Sequence, residues 1–329
     1  MTGRVAVVGS INIDISSFLE RWPRIGETVA ARESQITLGG KGANQAIAAR
    51  RLGVEVSMIG AVGIDPLGHM AQQCLGANDL TTYLMEDARR ATGTAAIDVG
   101  PDGRNIIRIA AGANAALTSD FIHKNADAIR TSDVLLLQNE VPVEVSIEAA
   151  AIARESGSLV VMDPAPVPEP FWNSEILAAF DVVTPNAEEV GAITGAVPDT
   201  LDDALGATRH LVEKGMRGVV ITMGELGVAW SVAGSSGVRP APLVHAIDTV
   251  AAGDCFNGAM AAALTQGDPW PDAIDVALHA AALATTCMGA ADSAPHASEL
   301  DAFMSTRSGS AYQSFTDGKV KPALEHAKG

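Results

Sequence analysis

Short apolar runs recur along this chain: RVAVV at 4–8, EVSMIGAVG at 55–63, DVLLLQ at 133–138, SLVVMD at 158–163, DVVTPN at 181–186 and GVVITM at 218–223. Runs of this length with little polar alternation predict strands buried on both faces. Helical stretches fall between them. ANQAIAARRL at 43–52 predicts a helix closed by Gly53, and Asp65 with Pro66 supplies an N-cap and first position ahead of LGHMAQQCL. Further helices are predicted from about Val143, near 187–194, from Thr200 and Asp202 to Gly215, and over FNGAMAAAL from Phe256.

From residue 133 onward strand and helix alternate, which predicts an α/β fold with a doubly wound, mostly parallel sheet flanked by helices. TAAIDV, the turn GPDG and RNIIRIA, within 94–110, read as a β-hairpin outside that rhythm and predict a small β lid over the ligand edge of the sheet. After Leu300 the chain turns polar and rich in Ser and Gly. The expected division is a single domain over 1–304, with lid segments near 11–40 and 92–112, and a polar tail over 305–329.

Composition narrows the class. A chain of 329 residues with 19% charged residues can bury a substantial core. Its formal charge of −17 argues against nucleic acid as a partner, because such binders cluster Lys and Arg. Three cysteines with no CxxC spacing predict reduced thiols and a cytoplasmic address. The opening MTGRVAVVGSINID reads as a first strand rather than a leader, and the longest apolar stretch, around 280–291, is too short to span a membrane.

Four segments carry candidate chemistry. In DTVAAGDCFNGAM, 248–260, the small residues Ala251, Ala252 and Gly253 precede a helix whose first N–H groups and dipole suit a phosphoryl group in transfer. Asp254 could take a proton from a hydroxyl aimed at that spot, or simply cap the helix. In GGKGANQA, 39–46, Gly40 allows close backbone approach, Lys41 donates, and Asn44 donates and accepts; an ordinary Gly-rich turn is the plain alternative. Asn12 and Asp14 of SINID, 10–14, follow the first strand, where they could chelate neighbouring hydroxyls or build an Asx turn. Asn186 and Glu189 in TPNAEE, 184–189, share a helix face, suited to a water-ordered Mg2+ or to a capping pair. The seven histidines are scattered without metal-ligand spacing, and Cys255 beside Asp254 reads as a packed small side chain. Neither GxxxxGK[ST] nor a GxGxxG after the first strand occurs, which sets aside a P-loop and makes a nicotinamide-dependent dehydrogenase improbable.

Together these segments resemble the ribokinase-like, phosphofructokinase-B-type carbohydrate kinases. GGKGANQA and DTVAAGD resemble the two family signatures, and RIGET (24–28), GANAAL (112–117), DPAPV (163–167), TPN (184–186), ITMGELG (221–227) and FNGA (256–259) follow in the family's order from about Arg4 to Phe303. The resemblance implies ATP-dependent phosphorylation of a sugar, D-ribose to D-ribose 5-phosphate before deoxyribose, fructose or a nucleoside, and it leaves a non-catalytic sugar-binding protein as the weaker alternative. It implies Asp254 as general base and Ala251, Ala252 and Gly253 as the anion hole. Asn12, Asp14, Gly40, Lys41, Asn44 and Glu140 fall at sugar-contacting positions. Asn186, Thr222, Gly224, Gly227, Gly253 and His279 fall on the nucleotide side, with Glu189 serving Mg2+ through water. Asp248, Val250, Gly289 and Ser293 match a monovalent-cation site built mostly from carbonyl oxygens, implying K+ activation. Ala251 stands where the family has a glycine, Cys287 and Met288 replace basic residues, and Leu278 replaces a polar side chain near the adenine position. A homodimer joined through the β lid, with no membrane or nucleic-acid partner, completes what the resemblance implies.

Overall fold

The computed structural model describes residues 2–306, so the polar tail expected over 305–329 lies almost wholly outside the described residues. The strands are β1 (Arg4–Val8), β2 (Asn12–Leu19), β3 (Ala31–Gly39), β4 (Glu55–Gly63), β5 (Thr81–Asp87), β6 (Gly93–Val99), β7 (Asn105–Ala110), β8 (Val134–Gln138), β9 (Leu159–Asp163), β10 (Val182–Val183), β11 (Val219–Thr222), β12 (Gly227–Val232) and β13 (Ser235–Pro240). The helices are α1 (Lys41–Arg51), α2 (Pro66–Ala77), α3 (Ser119–Lys124), α4 (Ala126–Arg130), α5 (Val143–Ser156), α6 (Ser174–Leu177), α7 (Ala187–Thr194), α8 (Leu201–Glu213), α9 (Ala252–Thr265), α10 (Trp270–Ala284) and α11 (Ala297–Ser305).

Nine strands form the main sheet in the order β13-β12-β11-β10-β9-β8-β1-β4-β5, parallel except for the two antiparallel pairings that join β11, β12 and β13. Along β1 the side chains alternate between two cores. Val5 and Val7 pack with α1, α9 and α10 on one face, while Ala6 and Val8 pack with α5 and α8 on the other. That two-sided burial is why the parallel strands read as unbroken apolar runs. The strand order reverses at β1, which lies between β4 and β8, and ligands of open α/β sheets bind beyond the carboxyl ends of the strands at such a point.

A second sheet, β3-β2-β6-β7, stands at this edge. The hairpin expected over 94–110 is β6 and β7, with Val99 opposite Asn105. SINID corrects the turn alternative: Asn12 opens an eight-residue strand, paired with Gly39 on β3 and Gly93 on β6. DVVTPN also differs from its prediction. Only Val182–Val183 is strand, because Asn186 already caps α7. The apolar pattern left β5, β13 and α10 unsigned. The two strands lie at sheet edges and are half exposed, and α10 is buried over most of its surface.

Candidate active site

Three glycines set α1 against the end of β1 and against α9. A Cβ on Gly40, whose φ is 88°, would lie 2.7 Å from the Asn12 backbone N, and one on Gly42 would lie 2.7 Å from the Gly9 carbonyl carbon. The third is on the opposite helix. A Cβ on Gly258 would come 2.5 Å from the Gln45 carbonyl oxygen, so α9 packs backbone to backbone on α1. This contact sets Asp254, in the first turn of α9, opposite Lys41, Asn44 and Gln45.

Asp254 does not cap its helix. Its Oδ2 accepts from Asn44 Nδ2 at 2.9 Å and its Oδ1 from Gln45 Nε2 at 3.1 Å, with Lys41 Nζ 4.0 Å from Oδ1. Burial pushes this carboxyl up to about 6 with help from Asp163, against the opposing pull of Lys41, Asn44 and Gln45. Lys41 Nζ lies 3.4 Å from Asp163 Oδ2. Burial alone would lower the Lys41 ammonium, but Asp163, Asp254, Glu140 and Glu189 outweigh it and hold the group above its ordinary value. No side chain caps α9, whose N-cap Ala251 adopts φ 59°. That left-handed conformation costs a non-glycine residue on the order of 1–2 kcal/mol. A Cβ on Gly253 would meet nothing within 4 Å, so there is open space beside the start of α9, where the Ala252 N–H donates to the Thr249 carbonyl at 3.3 Å. Cys255 is buried beside Asp254, and burial pushes its thiol up to about 12, in keeping with a packed side chain. All three cysteines are free.

Asp14 and Asn12 start the lid strand β2 above this helix pair. Burial, then Glu140 and Asp254, push the Asp14 carboxyl up to about 7. A Cβ on Gly39 would lie 2.2 Å from Asp14 Oδ2, so only glycine fits beneath it. Asn12 Oδ1 accepts from Asn114 Nδ2 at 2.8 Å, leaving the Asn12 amide N–H groups to donate elsewhere. Glu140 Oε2 accepts from Ser10 Oγ at 2.5 Å and from the Lys41 backbone N–H at 3.2 Å. Asp14 Oδ1 and Asn44 Oδ1 are among the buried acceptors that have no hydrogen-bond partner among the described residues. Buried acceptors left so are suited to O–H donors. A cavity of about 340 Å3 lies between the lid and the loops at 247–250 and 288–290, lined by Asp14, Thr37, Ile97, Asp248, Val250 and Gly289.

At the start of α7, Asn186 and Glu189 form a full capping box: Glu189 Oε2 accepts from the Asn186 N–H at 2.8 Å and Asn186 Oδ1 from the Glu189 N–H at 2.9 Å. The capping alternative is therefore realised, yet burial, Asp163 and Asp254 push Glu189 above its ordinary value, so it also faces the acid cluster. Thr222 bridges to Asn186, and its N–H donates to the Pro185 carbonyl at 3.1 Å. Gly224 opens a short turn at φ 56° with free space around it, whereas a Cβ on Gly227 would strike the Arg239 carbonyl oxygen, which gives Gly227 a packing reason of its own. His279 is placed differently. Its Nδ1 lies 2.8 Å from the Asp275 carbonyl oxygen and its ring packs edge-on to Phe303, while Leu278 is core. None of these contacts reaches Asn186, Thr222 or Gly224.

Asp248 ties two loops together, accepting from the Val250 N–H and the Gly289 N–H, each at 3.0 Å, and Ser293 Oγ donates to the Ala290 carbonyl at 2.8 Å. Among the described residues no group of three His, Cys, Asp or Glu side chains is placed to hold a metal. Mg2+ usually keeps several of its own waters, so a single acid such as Glu189 would suffice to hold one through water.

Sequence reasoning gave no role to Gln45, Asn114, Asp163 or Ser10. All four sit inside quoted segments (GGKGANQA, GANAAL, DPAPV and SINID), and a polar side chain within a recognised motif was the available signal.

Residues 2–297 match the pfkB family of carbohydrate kinases. The chain belongs to that family. This carbohydrate kinase is 36% identical over 305 residues to ribokinase of Haemophilus influenzae, covering 92% of this chain and 99% of the relative. It is 33% identical over 304 residues to deoxyribokinase of Salmonella typhi, covering 92% and 98%. The solved structure of Arabidopsis thaliana ribokinase complexed with ribose and ATP superposes with a TM-score of 0.83 at 29% identity, covering 92% of this chain and 99% of that one. The expected α/β fold and kinase family are thus both met. Among the described residues no helix is long and apolar enough to cross a membrane.

Proposed function

We propose that this carbohydrate kinase transfers the γ-phosphoryl group of ATP to the 5-hydroxyl of D-ribose. The observation that carries this is the meeting of Asp254, a buried carboxyl held near pH 6, with the uncapped N-terminus of α9, in a site whose free acceptors call for hydroxyl donors. Asp254 takes the proton of the attacking hydroxyl, and the main chain over Ala251, Ala252 and Gly253 receives the charge on the moving phosphoryl oxygens. Asp14 accepts from a sugar hydroxyl and Asn12 donates to one, because Asn114 has already claimed its oxygen. Lys41 and Glu140 hold the floor of the sugar site, and the lid excludes water from it. Glu189 would hold a Mg2+ through water, which would supply neutralising charge to the phosphates, and Asn186, Thr222 and Gly224 line the nucleotide side.

Carbonyls of the loops tied by Asp248, with Val250, Gly289 and Ser293, support a K+ site one turn before the anion hole. Exposed isoleucines on the lid support a homodimer, and the three free thiols a reducing, cytoplasmic setting. The ribokinase relatives, one of them solved with ribose and ATP, favour ribose; the deoxyribokinase relative keeps deoxyribose as the second reading. ADP release measured with D-ribose, 2-deoxy-D-ribose, D-fructose and adenosine, with and without K+, decides between them. Ribose should give the highest kcat/KM, raised by K+. Deoxyribose or fructose at or above ribose would replace the substrate, and no stimulation by any of them would remove the activity.

A further inference from the structure

Asp163, at the end of β9 in the main sheet, and Asp254, in the first turn of α9, share one donor. Gln45 Nε2 donates to Asp163 Oδ2 at 3.0 Å and to Asp254 Oδ1 at 3.1 Å, and the side chain is wholly buried. Only one orientation of this amide is tenable, since turning it over would set Oε1 against two carboxylates. Gln138, at the end of β8, enforces that orientation by donating from Nε2 to Gln45 Oε1 at 2.8 Å. Gln138 is itself wedged against the main chain, because a Cβ on Gly9 would collide with its Oε1.

We propose that Gln45, locked by Gln138, is the positioning residue of the catalytic base: it holds the Asp254 carboxylate toward the α9 N-terminus and apart from Asp163 without adding charge. A neutral donor matters here. Asp254 faces Lys41 from α1, Asp163 from β9, Glu189 from α7, Asp14 from β2 and the neutral thiol of Cys255 beside it. A second cation at position 45 would make Asp254 too weak a base, whereas an apolar side chain would leave two buried carboxylates to repel each other across one ammonium.

This inference rests on the proposed sugar-kinase chemistry, and its test separates the two. The measurement is the pH profile of kcat, with sugar KM and thermal midpoint, for the unaltered enzyme, Gln45→Met, Gln138→Met and the double variant. Loss of a charge-assisted hydrogen bond should move the acid limb of Gln45→Met upward by about one pH unit. Sugar KM should stay within about threefold, since Gln45 touches the base rather than a substrate-facing group. Gln138→Met, which contacts no carboxylate, should shift the limb in the same direction by less, and the double variant should equal Gln45→Met. An unmoved limb despite a lowered thermal midpoint, or shifts that add in the double variant, would overturn the positioning role. Should Gln45→Met not fold, the limb of Gln138→Met decides alone. No sugar-dependent ADP release by the unaltered enzyme would instead defeat the kinase reading itself.

Discussion

Asp14 ionises at a cost to the fold. Its carboxyl is raised from 3.8 to about 7, chiefly by burial, and Oδ1 has no donor among the described residues. The folded protein therefore holds this proton more tightly than the unfolded chain does. The stability this lends is fully present below about pH 4, and it is lost as pH rises through about 7. At pH 8 the burden is on the order of 2–4 kcal/mol. Asp14→Asn removes the charge, so without sugar it should raise the thermal midpoint at pH 8 by several degrees and leave it nearly unchanged at pH 4, while sugar KM rises tenfold or more. An equal change in midpoint at both pH values would contradict a charge-based origin. The same residue shows what a sequence leaves out: alternation in SINID marks Asn12 and Asp14 as paired polar positions, but the acids that perturb Asp14 lie far away in the chain.

The lid sheet has one face toward the cavity and one away. Asp14 and Ile97 line the cavity, while Ile15 pairs with Ile36 on the opposite face, which Ile106 and the Arg108–Asp98 ion pair share. Ile36 is 53% exposed and Ile106 52%, an apolar surface that a second copy of the chain would cover. Light scattering at micromolar concentration should give a dimer mass, and Ile36→Glu with Ile106→Glu should give a monomer with weakened sugar binding. A monomeric unaltered protein would rule out the lid-joined dimer. In the sequence the hairpin of β6 and β7 is visible through its GPDG turn and local pairing. β3 is not, because its run of exposed positions carries no apolar rhythm and its partner β2 is reached through the long segment 20–30.

Across the molecule, what was legible follows from locality. Parallel strands buried on both faces announce themselves as apolar runs, and Gly40 marks one place where backbones must touch; Gly42 and Gly258 show theirs only once the helices are packed. The hydrogen bonds that finish the site were not legible, because Gln45 to Asp163 spans 118 residues and Asn114 to Asn12 spans 102. The contacts of His279, to the Asp275 carbonyl and the Phe303 ring, were likewise not legible, because a position carried over along a helix does not say what its ring packs against.

The side chains of Lys41, Asn44 and Gln45 converge on Asp254, and Asp254→Asn is the change that asks most of them, since it keeps the shape while removing the base. With folding intact by thermal midpoint, ribose-dependent ADP release at pH 8 should fall by about 10²–10⁴ in kcat with ribose affinity largely kept. Turnover within tenfold of the unaltered enzyme would show that Asp254 does not take the proton.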